Sequence, residues 1–360
     1  METIAYYISD YGYGHATRST AIIRELLKQN EQIKIIICHS FAIRFLQQSF
    51  KNEQRVQFRN VSTDIGYILK ENSLEPDKNL LNHELVSYVS SFDTRVEEES
   101  AFMEKAKISF VISDISPLGI ASASASDIPC LGISNFTWFT AYEGLVEDEL
   151  LSFLKQQYKK MMYWFSLACS AEGNWIIEEK QSFGFYSRKI DNLEVQRIRK
   201  HIDPIGKSRI IYFGLGMKVD VEKLNELPIW KSSNCKFIVS SNLNIQHSNV
   251  YKIPKNETET QYHVAAADLV ITKAGWGTIS EAICAGVPLL VMNRSSMKED
   301  KNTADYLTKH NLCELINWEE LQSIVVTDNL INKCRKQSGT RYQIETISIA
   351  EEIIKKINSK

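Results

Sequence analysis

The stretch Ile271-Thr-Lys-Ala-Gly-Trp-Gly-Thr-Ile-Ser-Glu-Ala-Ile-Cys-Ala-Gly-Val-Pro-Leu-Leu-Val291 decides the fold. It reads as a buried strand, a glycine turn, a helix start, a second turn and another buried strand. The run 268–272 is short and apolar, the pattern of a strand covered on both faces of a parallel sheet. Gly275 and Gly277 let the backbone turn tightly and approach a ligand. Thr278 and Ser280 fall where the next helix begins, and the free N–H groups of a helix start suit a phosphate. Glu281 follows, and a carboxylate there can accept hydrogen bonds from both hydroxyls of a ribose. Phosphate and ribose side by side imply a nucleotide. No Gly-Lys-Ser/Thr follows the turn, so a P-loop is disfavoured. The local pattern leaves a second reading open, a strand-turn-helix whose glycines serve packing alone.

Outward from this stretch, apolar runs alternate with helical patterns in both directions. Strands are expected over 4–8, 33–38, 110–113 and 130–133, with helices over 20–28, 42–49 and 119–126. A second series has strands over 209–213, 236–240, 269–272 and 288–292 and a last helix over 344–357. Alternation of this kind gives an α/β fold with parallel sheets covered on both faces. With 360 residues, two domains are expected. The polar stretch 192–207 reads as the connection between them. The expected division is 1–195, 206–335 and a helix within 336–360 that packs back on the first domain.

Composition narrows the function. The chain is 44% hydrophobic and 24% charged, with a net charge of -2. That balance is globular and gives no support to broad nucleic-acid binding, with local basic patches left open. Seven cysteines occur without a Cys-x-x-Cys pair, which fits a reduced cytoplasmic setting. No signal peptide is read at the start, and no apolar run approaches the roughly 18 residues needed to span a bilayer. Neither Asp-x-Asp nor a Cys/His cluster is present, so no metal site is expected.

Asp10-Tyr-Gly-Tyr-Gly-His-Ala-Thr-Arg18 follows the first strand. Gly12 and Gly14 shape a turn there. His15 lies at the carboxyl edge of the sheet, where α/β folds bind ligands and where a histidine can exchange protons near neutral pH. His15 as a helix cap, with Arg18 as a solvated surface residue, is the competing reading. Asp114 closes another strand and either orients a base or caps a helix. Phe136 and Trp138 either stack on a sugar or belong to the core. The segment 151–170 reads as an amphipathic helix with basic flanks, either buried on the sheet or lying peripherally on a membrane.

These motifs resemble the GT-B glycosyltransferases, most closely the MurG-like group, whose C-terminal halves are of the family 28 type. They also resemble the glycosyltransferase-like half of L-arabinokinases, which shares the Gly-x-Gly-His-x-x-Arg turn and an Asn-Phe-x-Trp segment like 135–138 here. The resemblance implies two Rossmann-like, doubly wound parallel-sheet domains with an interdomain cleft. It implies a nucleotide-sugar donor on the second domain, expected to be UDP-linked, and an acceptor of unspecified nature on the first. Gly14, Gly214, Gly216, Gly275, Gly277, Thr278 and Glu281 would bind nucleotide and diphosphate. Glu299, Asp300 and Asn302 would bind the donor sugar, unless they form only a charged surface loop. Leu215 and Met217 replace the Gly-Gly-Ser often found in MurG-like proteins, which removes a hydroxyl from that turn; Lys218 either compensates or stays on the surface.

His15, with Asp114, would act as base or position the acceptor. The expected activity is metal-independent glycosyl transfer of the hexosyl or N-acetylhexosaminyl type, with no cofactor beyond the donor. Two rivals are a PseG-like nucleotide-sugar hydrolase, which shares the histidine turn but delivers water, and a non-catalytic nucleotide-sugar-binding module.

Overall fold

The computed structural model describes residues 1–71, 73, 75–173, 175–176, 179–215, 224–294, 296–337 and 343–359. It divides into two compact units. The first comprises Met1–Lys70, Glu75–Gly184 and Glu345–Lys360, and the second is mainly Phe185–Ile344.

The first unit is built on a seven-stranded sheet. Its strands are β1 (Glu2–Ile8), β2 (Ile33–Cys38), β3 (Val56–Arg59), β4 (Ile108–Asp114), β5 (Cys130–Ser134), β6 (Tyr163–Leu167) and β7 (Lys180–Phe183). Their order is β3-β2-β1-β4-β5-β6-β7, and neighbours pair in parallel. Residues 4–8 of β1 and 110–114 of β4 are all buried, as expected of strands covered on both faces. The order reverses between β1 and β4. That reversal is the switch point at which open α/β sheets bind ligands, beyond the carboxyl ends of the strands. Ile8 stands opposite Asp114 there, so the loops that follow both strands open at the same edge.

The second unit repeats the plan with six strands, β8 (Arg209–Gly214), β9 (Cys235–Val239), β10 (Val250–Lys252), β11 (Leu269–Lys273), β12 (Leu289–Met292) and β13 (Glu314–Ile316). Their order is β10-β9-β8-β11-β12-β13, again parallel. The switch point lies between β8 and β11, where Gly214 stands opposite Thr272. Both units are thus doubly wound α/β sheets.

Three departures from the sequence reading have local causes. The first helix begins at Tyr13, well before 20. Gly12 makes the turn alone, at φ 76° and ψ 179°, a conformation that is essentially glycine's. Gly14 is already helical, with open space where a Cβ would stand.

The expected connection at 192–207 is largely a helix, Asn192–Ile202, of the second unit. Asp191 caps it by accepting from the Leu193 amide, and Ile198 and Ile202 pack on Ile210 and Ile238. The units divide at Gly184 and Phe185, upstream of that helix.

The last helix, Thr346–Asn358, belongs to the first unit, where Gln29 donates to the Ile347 carbonyl at 3.3 Å. The Glu345 carboxylate just before it accepts from the Gly184 amide at 2.8 Å.

The segment expected as an amphipathic helix with basic flanks is the helix Asp148–Tyr158 followed by β6. Leu150, Leu151, Leu154 and Tyr158 are buried, so its apolar face packs inward. Among the described residues no helix is long and apolar enough to cross a membrane.

Candidate functional site

At the switch point of the first unit, three loops are stapled together by Asp10. Its carboxylate accepts from the Ser40 amide at 2.8 Å, the Phe41 amide at 3.1 Å and the Thr63 amide at 3.0 Å, and pairs with His39 at 2.9 Å. The loops after β1, β2 and β3 are therefore held in one arrangement. The chain leaves β4 through Ile115 at φ 54°, a left-handed conformation costly for a β-branched residue. Ser116 then caps the next helix by accepting from the Gly119 amide. This sharp exit leaves Asp114 as the last residue of β4, facing the first helix.

His15 lies on that helix, with its Nδ1 3.1 Å from Asp114 Oδ1. Both are buried, at 6% and 1% exposure. Arg18, one turn further along, donates from Nε to Asp114 Oδ2 at 2.8 Å and from Nη2 to Oδ1. Burial alone would raise the Asp114 pKa. The Arg18 charge, helped by His15, outweighs it and holds the carboxyl well below the usual carboxylate range. Burial lowers the His15 pKa, and Arg18 and His39 push the same way against the pull of Asp114. His15 is therefore a neutral imidazole at pH 7. Its Nε2 has no hydrogen-bond partner among the described residues and is not sealed from solvent.

The sequence reading of His15 and Asp114 as one couple thus meets a geometry that joins them, and neither is a helix cap. Arg18 is not a solvated surface residue; it is 5% exposed at the centre of the cluster. Phe136 stands edge-on to His15, with ring centroids 5.8 Å apart. Trp138 is core, stacked on Tyr142 and donating from Nε1 to Asp64 at 3.0 Å. Burial, reinforced by the Asp10 charge, raises the Asp64 pKa to about 8.

In the second unit the nucleotide motif spans β11 and the helix Trp276–Ala285. Gly275 is the N-cap residue and no side chain caps the helix start. Gly277 and Thr278 lie in its first turn, where backbone N–H groups lack intrahelical acceptors. The Lys273 side chain lies against Gly275, and a Cβ on that glycine would stand 3.3 Å from Lys273 Cε. A cation beside an uncapped helix start suits a diphosphate. Ser280 is committed elsewhere, exchanging hydrogen bonds with the Tyr186 backbone at 2.6 and 3.0 Å.

Glu281 is 8% exposed and paired with Arg188, which was not anticipated. Arg188 donates to Glu281 Oε1 from Nη2 at 2.6 Å and from Nε at 3.2 Å, and also holds the Thr258 carbonyl and Thr260 Oγ1. No described residue bonds to Oε2, which leaves one carboxylate oxygen for a ligand.

The other donor-side residues are distributed less uniformly. Gly214 ends β8; its carbonyl accepts from Thr272 Oγ1 at 2.7 Å, and its missing Cβ makes room for the Tyr212 ring. Gly216, Met217 and Lys218 lie outside the described residues. Glu299, Asp300 and Asn302 fall on a helix, Lys298–Lys309, rather than in a loop. Asp300 is buried and accepts from Arg294 Nε at 2.5 Å. Asn302 Nδ2 is buried without a protein acceptor among the described residues. Also among the described residues, no group of three or more His, Cys, Asp or Glu side chains is placed to hold a metal ion.

Known proteins share this fold. Residues 2–154 match the model of glycosyl transferase family 1, and residues 234–357 match the glycosyltransferase family 28 C-terminal domain. An L-arabinokinase of Arabidopsis thaliana is 22% identical over 311 residues, 82% of this chain but 28% of that protein. The chain therefore spans less than a third of this relative. Among solved structures, Phytolacca americana UGT2 complexed with UDP-2fluoro-glucose and pterostilbene superposes with a TM-score of 0.64 at 13% identity, over 99% of this chain and 100% of that one. The glycosyltransferase SnogD from Streptomyces nogalater superposes with a TM-score of 0.62 at 13% identity, over the same shares. The chain has the GT-B fold, its second half resembles the family 28 C-terminal domain, and its two matched domains support sugar transfer from a nucleotide sugar.

Proposed function

We propose that the chain is a metal-independent glycosyltransferase that moves a hexosyl or N-acetylhexosaminyl group from a UDP-sugar to an acceptor hydroxyl. The observation that carries this reading is the His15–Asp114 couple at the switch point of the first sheet. A buried, neutral histidine backed by an ionised carboxylate, with its second nitrogen open, is equipped to take a proton. As the acceptor oxygen bonds to the anomeric carbon and the bond from that carbon to the diphosphate breaks, the hydroxyl proton passes to Nε2. Asp114 stabilises the imidazolium that results.

The leaving diphosphate is met by the helix start at Gly275, Gly277 and Thr278, with Lys273 beside it. Glu281 Oε2 takes the ribose, Asn302 Nδ2 a sugar hydroxyl. UDP is supported by the superposition on UGT2, whose structure holds UDP-2fluoro-glucose. Seven free cysteines fit a reducing, cytoplasmic setting.

The test is product analysis with UDP-sugars, with and without candidate acceptors. Acceptor-dependent glycoside with only slow release of free sugar supports transfer. Rapid stoichiometric free sugar without acceptor makes the chain a hydrolase, with His15 activating water. Tight donor binding with no turnover of any donor makes it a binding module.

Two further outcomes are expected. Turnover persists in EDTA, because helix start and lysine take the role of a metal; abolition by chelator and recovery with Mg²⁺ or Mn²⁺ contradicts this. Glu281→Ala weakens UDP binding by about 1.5–3 kcal/mol, the loss of charge-assisted hydrogen bonds to ribose. Calorimetry on the folded variant checks it, and unchanged affinity removes Glu281 from the ribose site.

A further inference from the structure

The proton inventory around Arg18 constrains the tautomer of His15. Arg18 Nη2 carries two protons and can only donate. At least three acceptors surround it: Asp114 Oδ1, Ser134 Oγ at 2.7 Å and His15 Nδ1 at 2.9 Å. Nδ1 in turn faces a group that only donates, Arg18, and one that only accepts, Asp114 Oδ1 at 3.1 Å.

Two assignments are available. If Nδ1 is bare, it takes one Nη2 proton, Ser134 Oγ keeps only the Phe136 amide at 3.4 Å, the bare Nδ1 faces the Asp114 Oδ1 lone pairs at 3.1 Å, and the imidazole proton sits on Nε2. Such a ring has no lone pair at its open nitrogen. If Nδ1 is protonated, it donates to Asp114 Oδ1, and the two Nη2 protons go to Asp114 and Ser134. Only the second assignment pairs Nδ1 with Asp114 Oδ1 rather than opposing two lone pairs, and it keeps an Arg18 donor on both Asp114 and Ser134. Ser134 and Asn135 are 0% and 2% exposed, and Asn135 Oδ1 accepts the neighbouring Nη1 at 2.7 Å, so the guanidinium has no freedom to rotate away. The other titratable group acting on His15 is His39, at the end of β2.

We infer that Ser134 is a positioning residue: by occupying the second Nη2 proton of Arg18 it keeps that proton off His15 Nδ1 and leaves Nε2 as the bare, basic nitrogen. The catalytic consequence rests on the reading of His15 as base, whereas the tautomer does not. Without the Ser134 hydroxyl, the freed Nη2 proton competes for Nδ1 and the ring proton moves to Nε2.

The test is long-range ¹H–¹⁵N correlation on the ¹⁵N-labelled full chain without nucleotide, at a pH where His15 is neutral, with the signals assigned by their loss in His15→Gln. The expected wild-type pattern is protonated Nδ1 and bare Nε2. Ser134→Ala is expected to show a substantial Nε2–H population, and Ser134→Thr, which keeps the hydroxyl, the wild-type pattern. In turnover, Ser134→Ala is expected to lower kcat by at least about tenfold with donor KM little changed, as befits a weakened base. A wild-type ring protonated at Nε2, or Ser134→Ala still protonated only at Nδ1, overturns the inference. If the alanine variant does not fold, Ser134→Cys, which keeps the volume but is a far weaker acceptor, takes its place with the same expected Nε2–H population, and a ring still protonated only at Nδ1 overturns the inference. An intact tautomer pattern in a chain that transfers no sugar keeps the inference and counts against the proposed function instead.

Discussion

His15→Ala is expected to lower turnover by about 10²–10⁴-fold, the range for loss of a general base. Donor affinity is expected to change far less, because the uncapped helix start, Lys273 and Glu281 belong to the second unit while His15 belongs to the first. The pH profile adds an independent signature. Burial, with Arg18 and His39, sets the His15 pKa below the ordinary 6.5 despite Asp114. Activity should therefore be flat through neutrality and fall only as pH drops through that lowered value, where Nε2 becomes protonated. The residual activity of the alanine variant should lack this acid limb. The same shift has a stability consequence. Between the folded and unfolded values the unfolded chain binds the extra proton, so this group's contribution is present above 6.5 and is lost as pH falls. Near-normal turnover of the variant would move the base to another group.

Arg188→Ala is expected to cost the second unit about 3–5 kcal/mol, the usual penalty for leaving a buried charge without its partner. Arg188 is 2% exposed, and its guanidinium joins Glu281, the Thr258 carbonyl and Thr260 Oγ1. Its removal strands the Glu281 carboxylate and also releases the segment before β11. Denaturant unfolding followed by tryptophan fluorescence measures the loss. The double variant Arg188→Ala/Glu281→Ala should cost clearly less than the sum of the two single variants, because no uncompensated carboxylate remains. Strict additivity, or a loss below about 1 kcal/mol, contradicts the pairing as described. UDP affinity should fall in the single variant too, since the orientation of Oε2 depends on the anchored Oε1.

How much of this was legible from sequence depends on how local each cause is. The strands at the centre of both sheets were visible because double-sided burial demands unbroken apolar runs, as in Ile33–Cys38 and Leu269–Lys273. The edge strands β3, β7, β10 and β13 were not read, because each is only three or four residues long and mixes polar with apolar positions. The start of the first helix was missed because Gly14 looks like part of a turn, whereas only Gly12 has the backbone that requires glycine. The helix Asn192–Ile202 was hidden by its charge, although Val195, Ile198 and Ile202 were spaced to form an apolar stripe.

His15, Asp114 and Glu281 were singled out as candidates because each adjoins a glycine turn or a strand end. Arg188 lies 93 residues from the carboxylate it holds, and no local pattern announces it. The second-proton role of Ser134 is likewise a property of three-dimensional crowding around Arg18. Glu299, Asp300 and Asn302 were read as part of a loop after β12, whereas they lie on a helix. The first turn of Lys298–Lys309 carries Glu299 and Asp300, where acidic residues favour a helix start.

The central claim is that this chain binds a nucleoside diphosphate sugar through its second unit and acts on it. Isothermal titration of the full chain with UDP, UDP-glucose and UDP-N-acetylglucosamine, all in EDTA, tests that binding most directly. The account predicts saturable one-site binding of UDP and of at least one of the sugars, weakened in Glu281→Ala and retained in His15→Ala. Absence of saturable binding by all three, in a chain shown to be folded, would contradict it.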